Sequence, residues 1–187
     1  MNGTLLTDAH PNTFNKILTI QKLLEYLDSS PIADFPEILR MLQLSSDSLS
    51  AYQCWDPNSY KRNYITKNDR YELLLICWEA NQQTPIHDHG GEDCWVYFLE
   101  GKFLEVKFAD QGLHPSEEGI KTPGSISFMN DEMGFHRLKN ISNGKSMTLH
   151  LYAKPIRSCR IFDENSQRFL NKEFYCGEEF SGKTNDN

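Results

Sequence analysis

The spacing of apolar residues changes between the first and second parts of the chain. In the opening fifty residues Phe14, Ile17 and Leu18, then Leu23, Leu24 and Leu27, recur every three or four positions, as on an amphipathic helix. Asn12 or Thr13 is placed to cap that helix, a second short helix over 35–42 follows Pro31, and Ser45 or Ser46 can cap a third. From Trp55 onward the repeat shortens to two. Runs at 71–78, 94–99, 102–108, 125–128, 135–138 and 147–152 read as strands, punctuated by Gly90-Gly91, Gly101, Pro123-Gly124 and Asn143-Gly144. After Pro155 come another short strand at 159–162, a polar turn at 163–167 and a last strand near 169–175. Many short strands joined by turns predict a sandwich or barrel, with the helical part as a cover on one side. The expected division is a single domain over 1–187: a helical segment at 1–50, a β-barrel at 55–176 and a disordered polar tail at 181–187.

The two-residue repeat also sorts side chains to faces. Leu149 and Leu151 point one way, and Thr148, His150 and Tyr152 the other. A hydroxyl, an imidazole and a phenol in a row do not suit a dry core without partners, so this row is expected to line a polar cavity. Cys94 shares a face with Val96 and Phe98, opposite Trp95, Tyr97 and Leu99. Tyr60 and Arg62 point the same way if their segment is extended, although Arg62 sits among Lys61, Lys67 and Arg70 and also reads as a surface cation.

Composition narrows the partners. The 187 residues are 39% hydrophobic and 24% charged, as in an ordinary globular protein. A net charge of -7 argues against nucleic acid or an anionic membrane as partner. No apolar run approaches a membrane span, and the N-terminus lacks the pattern of a signal peptide. The five cysteines, at 54, 77, 94, 159 and 176, form no CxxC pair, which suits free thiols in a reducing cytoplasm.

The densest chemistry is Ile86-His87-Asp88-His89-Gly90-Gly91-Glu92-Asp93-Cys94. Two histidines one residue apart share a face on extended backbone and can grip one metal ion. His136, in a later strand-like run after Gly134, supplies a third imidazole. The three together point to a metal site with no carboxylate in register. Each residue alone has a plainer reading: the pair as an accident of surface or core, Cys94 as a core thiol, Tyr152 as a lining residue bonded locally. His114 is expected in an exposed loop and His10 in a frayed terminus.

Taken together these residues resemble a known family. His87-Asp88-His89, four residues, Cys94, six residues and Gly101 is similar to the first cupin motif, with Cys94 where most cupins carry a metal-binding Glu. His136-Arg137-Leu138-Lys139-Asn140 looks like the end of the second motif. With Tyr60-Lys61-Arg62-Asn63 upstream and Leu149-His150-Leu151-Tyr152 downstream, the chain resembles the thiol dioxygenases of the cupin superfamily, and among them the cysteine dioxygenase family. The resemblance implies a mostly β, cupin-type small β-barrel (jelly roll) with an N-terminal helical cover. It implies that His87, His89 and His136 hold Fe(2+), that Arg62 grips the substrate carboxylate with Tyr60 nearby, and that Cys94 and Tyr152 become joined by a thioether. His150 would hydrogen-bond the Tyr152 hydroxyl, and Thr148 stands where the family often has Ser. The implied activity is oxidation of L-cysteine by O2 to cysteine sulfinic acid, by a cytoplasmic monomer with no nucleic-acid or membrane partner. The alternatives are a dioxygenase for 3-mercaptopropionate or another small thiol, and a non-catalytic cupin that binds metal or a small ligand. Arg62 favours cysteine, since the related enzymes usually place Gln there. A zinc-dependent isomerase cupin should retain the Glu that Cys94 replaces. Two departures stand out: Glu92-Asp93 replace the family's usual Ser-His, and Ala153-Lys154-Pro155 replaces Ser-Pro-Pro, so a trans peptide is expected where the family has a cis proline.

Overall fold

The computed structural model describes residues 16–109 and 113–174. His10, Asn12, Thr13, Phe14, Tyr175, Cys176 and the 181–187 tail lie outside the described residues. Helix α1 (Ile20–Ser29) opens on Thr19, whose Oγ1 accepts from Lys22 N at 3.2 Å, and buries Ile20, Leu23 and Leu27. The short helix α2 (Phe35–Arg40) follows, with Pro36 in its first turn and Phe35, Ile38 and Leu39 buried. A stretch of 3-10 helix, Ser46–Tyr52, is capped by Ser45.

Ten strands follow: β1 (Lys61–Lys67), β2 (Tyr71–Trp78), β3 (Cys94–Glu100), β4 (Phe103–Phe108), β5 (Pro115–Lys121), β6 (Ile126–Met129), β7 (Phe135–Asn140), β8 (Ser146–Ala153), β9 (Ser158–Asp163) and β10 (Arg168–Glu173). One sheet has the order β1-β2-β8-β3-β6, a second β5-β4-β7 and a third β10-β9, every pair antiparallel. Residues 83–87 stitch the two smaller sheets into one layer. Gln83 bridges to Lys139, and His87 bridges to both His136 and Ile161. Thr84 N donates to Leu138 O at 2.9 Å, and Phe162 N to Ile86 O at 2.8 Å. The expected barrel is thus realised as a two-layer jelly roll, in which the ladders among the described residues do not close into a ring.

Alternation along the central strands decides which core each side chain joins. Leu74, Ile76, Trp78, Val96 and Phe98 pack between the layers with Phe103 and Leu138. Their neighbours Leu73, Leu75, Trp95, Tyr97, Leu149 and Leu151 face the helical cover and meet Leu23, Leu27, Phe35 and Ile38. Strands β2 and β8 are therefore buried on both faces at every position, which explains the unbroken apolar run of β2. Each large aliphatic side chain so enclosed contributes about 1.5–3 kcal/mol relative to exposure. Tyr71 ties the cover to the sheet by donating its hydroxyl to Asp28 Oδ1 at 2.7 Å.

Strand β5 has no counterpart in the sequence reading. Its first four residues, 115–118, are exposed and carry no apolar alternation, and pairing with β4 alone makes them a strand. No cis peptide occurs among the described residues, so the non-proline bond Ala153-Lys154 is trans as expected, with Lys154 at φ 80°. No helix among the described residues is long and apolar enough to cross a membrane.

Candidate metal centre and adjoining pocket

The stretch from His87 to Cys94 crosses the mouth of the jelly roll between the two layers. His87 and His136 exchange backbone hydrogen bonds, at 3.0 and 2.9 Å, which sets their rings side by side with centroids 4.7 Å apart. The ring of His89 lies 5.3 Å from His87 and 4.8 Å from His136. One nitrogen from each of the three converges within 4.8 Å of the other two.

Two carboxylates hold the loop that carries the pair. Asp88 Oδ1 accepts from Gly90 N at 3.3 Å and Arg160 N at 2.7 Å, while Oδ2 accepts from Arg160 Nε at 2.5 Å. Asp131 accepts from His89 N at 2.9 Å and Gly91 N at 2.8 Å. Gly90 has φ +61°, and a Cβ there would sit 1.8 Å from Ser158 O, whereas Gly91, at φ +89°, has open space around it. Gly90→Ala is therefore expected to displace the loop and lose bound metal. Gly91→Ala should incur only left-handed backbone strain, about 1–2 kcal/mol, and keep its metal. Metal content of the two purified variants checks the contrast, and equal content would contradict it.

The hydrogen bonds fix which ring nitrogens are available. His87 Nδ1 lies 3.0 Å from Pro85 O and His136 Nδ1 lies 2.9 Å from Glu105 Oε1, and both partners can only accept. Those nitrogens therefore carry the protons, and Nε2 of each ring is left as a lone-pair donor. His136 Nε2 and both ring nitrogens of His89 are buried without a hydrogen-bond partner. Buried polar atoms left this way are rare, and converging lone pairs of this kind fit a metal ion. Desolvation, reinforced by the neighbouring His136 ring, pulls His87 down to about 3 and holds His89 well below the usual imidazole range. Both stay neutral, as metal ligands must be.

Glu105 (β4) is itself enclosed. Burial pushes its carboxyl up, but hydrogen bonds from His136 and Ser127 and the charge of Lys121 outweigh that and hold it at about 2.

The register of β3 against β8 sets Cys94 directly opposite Tyr152, both buried between the layers. Burial pushes the Cys94 thiol and the Tyr152 hydroxyl up, so both are neutral. His150 is enclosed too. Trp78 Nε1 donates to Thr148 Oγ1 at 2.9 Å, and Thr148 Oγ1 is 2.9 Å from His150 Nε2. Trp78 and His150 thus converge on the Thr148 hydroxyl, which accepts the indole proton and shares a second hydrogen bond with His150 Nε2. His150 Nε2 thus meets Thr148, a different partner from the Tyr152 hydroxyl that the resemblance implies.

A pocket adjoins the imidazoles, lined among others by Tyr60, Arg62, Ile76, His87, His150 and Tyr152. Tyr60 stacks on Trp78 with centroids 4.7 Å apart. Arg62 lies over the rings of Phe174 at 4.6 Å and Tyr152 at 5.9 Å. Its Nη2 is 3.4 Å from Glu72 Oε1, and Lys67 Nζ is 3.2 Å from Glu72 Oε2. Burial opposes the Arg62 charge, but Tyr152, Tyr60 and Glu72 outweigh it and raise its pKa further. All eight residues singled out from sequence are thus gathered at one end of the jelly roll, and His114 is exposed elsewhere.

Sequence reasoning missed Glu72, Glu105, Asp131 and Cys159, the last a buried thiol on the pocket wall pushed up to about 12 by burial. Alternation carried a signal for one of them. Glu105 shares a face with the buried Phe103, which places a carboxylate at an inward position.

This geometry defines a cupin-type jelly roll with a three-histidine group at its mouth. The same fold is seen in an uncharacterised protein with a double-stranded β-helix domain from Klebsiella pneumoniae, with a TM-score of 0.52 and 11% identity over 61% of this chain and 88% of that one. The family model for cysteine dioxygenase type I matches residues 7–165, so the chain belongs to that family, one of dioxygenases. Among curated proteins it is similar to cysteine dioxygenase type 1 of Danio rerio, 25% identical over 83% of this chain and 82% of that one. The human protein of the same name is 26% identical over the same shares of the two chains.

Proposed function

We infer that this protein oxidises L-cysteine with O2 to cysteine sulfinic acid at an Fe(2+) held by His87, His89 and His136. The observation that carries this reading is the convergence of three imidazoles, without a carboxylate among them, beside a pocket whose cation among the described residues is Arg62. An ion held by neutral ligands keeps its full charge, so it supplies a Lewis acid that favours a thiolate and a redox partner for dioxygen. Arg62 offers the substrate carboxylate a planar fork of donors, a geometry that Lys could not copy. Tyr60 stacks behind it on Trp78 and walls that side of the pocket. The imidazole of His150 and the hydroxyl of Tyr152 line the reacting end of the pocket. Sulfur takes up both atoms of O2, so substrate and oxidant balance without another reductant.

Cys94 and Tyr152 are register partners buried in the same cluster between the layers, which supports their linkage through a thioether between sulfur and the ring carbon beside the phenol oxygen. The link removes one hydrogen from the thiol and one from the ring, with dioxygen as the acceptor of the two electrons. A doubled band on a reducing denaturing gel, collapsing to one band in Cys94→Ser, is the expected result. A single unshifted band in the native protein, with no mass loss, would rule the link out.

The function is tested by iron analysis of the purified protein together with an oxygen electrode, comparing L-cysteine with 3-mercaptopropionate. Iron with oxygen uptake on L-cysteine supports the reading. Uptake on 3-mercaptopropionate alone would make the protein a dioxygenase for that acid, and metal without uptake on either thiol would make it a binding module.

A further inference from the structure

The three imidazoles are not backed alike. The Nδ1–H of His87 is donated to a neutral carbonyl, both nitrogens of His89 lack a protein partner, and the Nδ1–H of His136 is donated to a carboxylate. That carboxylate, on Glu105, is 2% exposed. Ser127 Oγ lies 2.7 and 2.6 Å from its two oxygens, reaching across from the other layer, and Lys121 Nζ is 3.3 Å from Oε2. Burying a carboxylate is costly, and a neutral Gln could accept from His136 and bond Ser127 in the same place. The charge itself therefore calls for a role, and the opposite nitrogen of the same ring, Nε2, is buried and unpartnered.

We propose that Glu105 is a positioning residue of the metal centre that lends its negative charge to the ion through His136. It restores, one shell out, the carboxylate that is missing from the ligand set. The proposal rests on the three-histidine reading above. A carboxylate drawing on the Nδ1 proton makes the imidazole more basic at Nε2, which strengthens its grip and favours the more highly charged ion. Lys121 draws part of that charge away toward the surface.

The test uses the full-length, metal-free protein, with Co(II) titrated in competition with a chelator, and the ferric/ferrous midpoint potential of the iron-loaded form. Glu105→Gln is expected to weaken Co(II) binding about 10–100-fold. It should also raise the potential, by about 59 mV for each tenfold loss of ferric over ferrous preference. Glu105→Asp should recover most of both. Lys121→Met should bind Co(II) about two- to fivefold more tightly, since a cation competing for the carboxylate has gone. A purely structural carboxylate predicts no such tightening. Unchanged affinity and potential in Glu105→Gln would overturn the proposal. Should that variant fail to fold in its metal-free form, unchanged or weaker binding in Lys121→Met would overturn it instead. Absence of Co(II) binding in the unaltered protein would overturn the three-histidine reading itself, and with it this proposal.

Discussion

His89→Ala is expected to strip the protein of its metal and of oxygen uptake while leaving the fold intact. Losing a partner residue behind a ligand typically costs 10–100-fold in affinity, so losing the ligand itself should cost more than about a hundredfold. Stability should respond weakly for a reason visible in the structure. Both ring nitrogens of His89 are buried without a hydrogen-bond partner, so the metal-free protein bears a desolvation penalty of about 1–3 kcal/mol that alanine removes. That gain offsets much of the cost of the small cavity. Iron per chain and thermal unfolding of the metal-free forms measure the two effects. Retained stoichiometric iron, or a collapse of metal-free stability, would contradict the assignment.

Arg62→Met should raise the KM for L-cysteine by about two orders of magnitude, with kcat reduced less. Truncating one side of a buried, charge-assisted contact costs about 2–5 kcal/mol, and among the described residues the substrate carboxylate has no second cation on the pocket wall to turn to. The same change should destabilise the protein. Glu72 is fully buried and shares its charge between Arg62 and Lys67, so losing Arg62 leaves half of that neutralisation gone. The double variant Arg62→Met/Glu72→Gln separates the roles. Melting temperature should recover while KM stays high. If KM recovered as well, Arg62 would be acting through the fold rather than on the substrate.

Much of this arrangement was legible in the sequence because alternation is a strict constraint. The faces assigned to Thr148, His150 and Tyr152, and to Cys94, Val96 and Phe98, are those seen between the layers, since a slip of one residue would have turned each set toward the helical cover. Strand β2 was read to the residue because its apolar run is buried on both faces. What was hidden depends on pairing between distant strands. Cys94 faces Tyr152 only through the register of β3 on β8, and Glu105 reaches His136 only as a diagonal neighbour across β4 and β7. The exposed strand β5 left no periodic trace. The bond from the Trp78 indole to Thr148 joins two strands, which no local pattern could announce.

The most direct measurement is the mass of the product formed from L-cysteine under heavy-isotope dioxygen. A centre of neutral imidazoles serving the thiol of a carboxylate-anchored substrate predicts a sulfinic acid that carries both heavy atoms. Unlabelled disulfide as the only product, or sulfinate with its oxygen drawn from water, would contradict it.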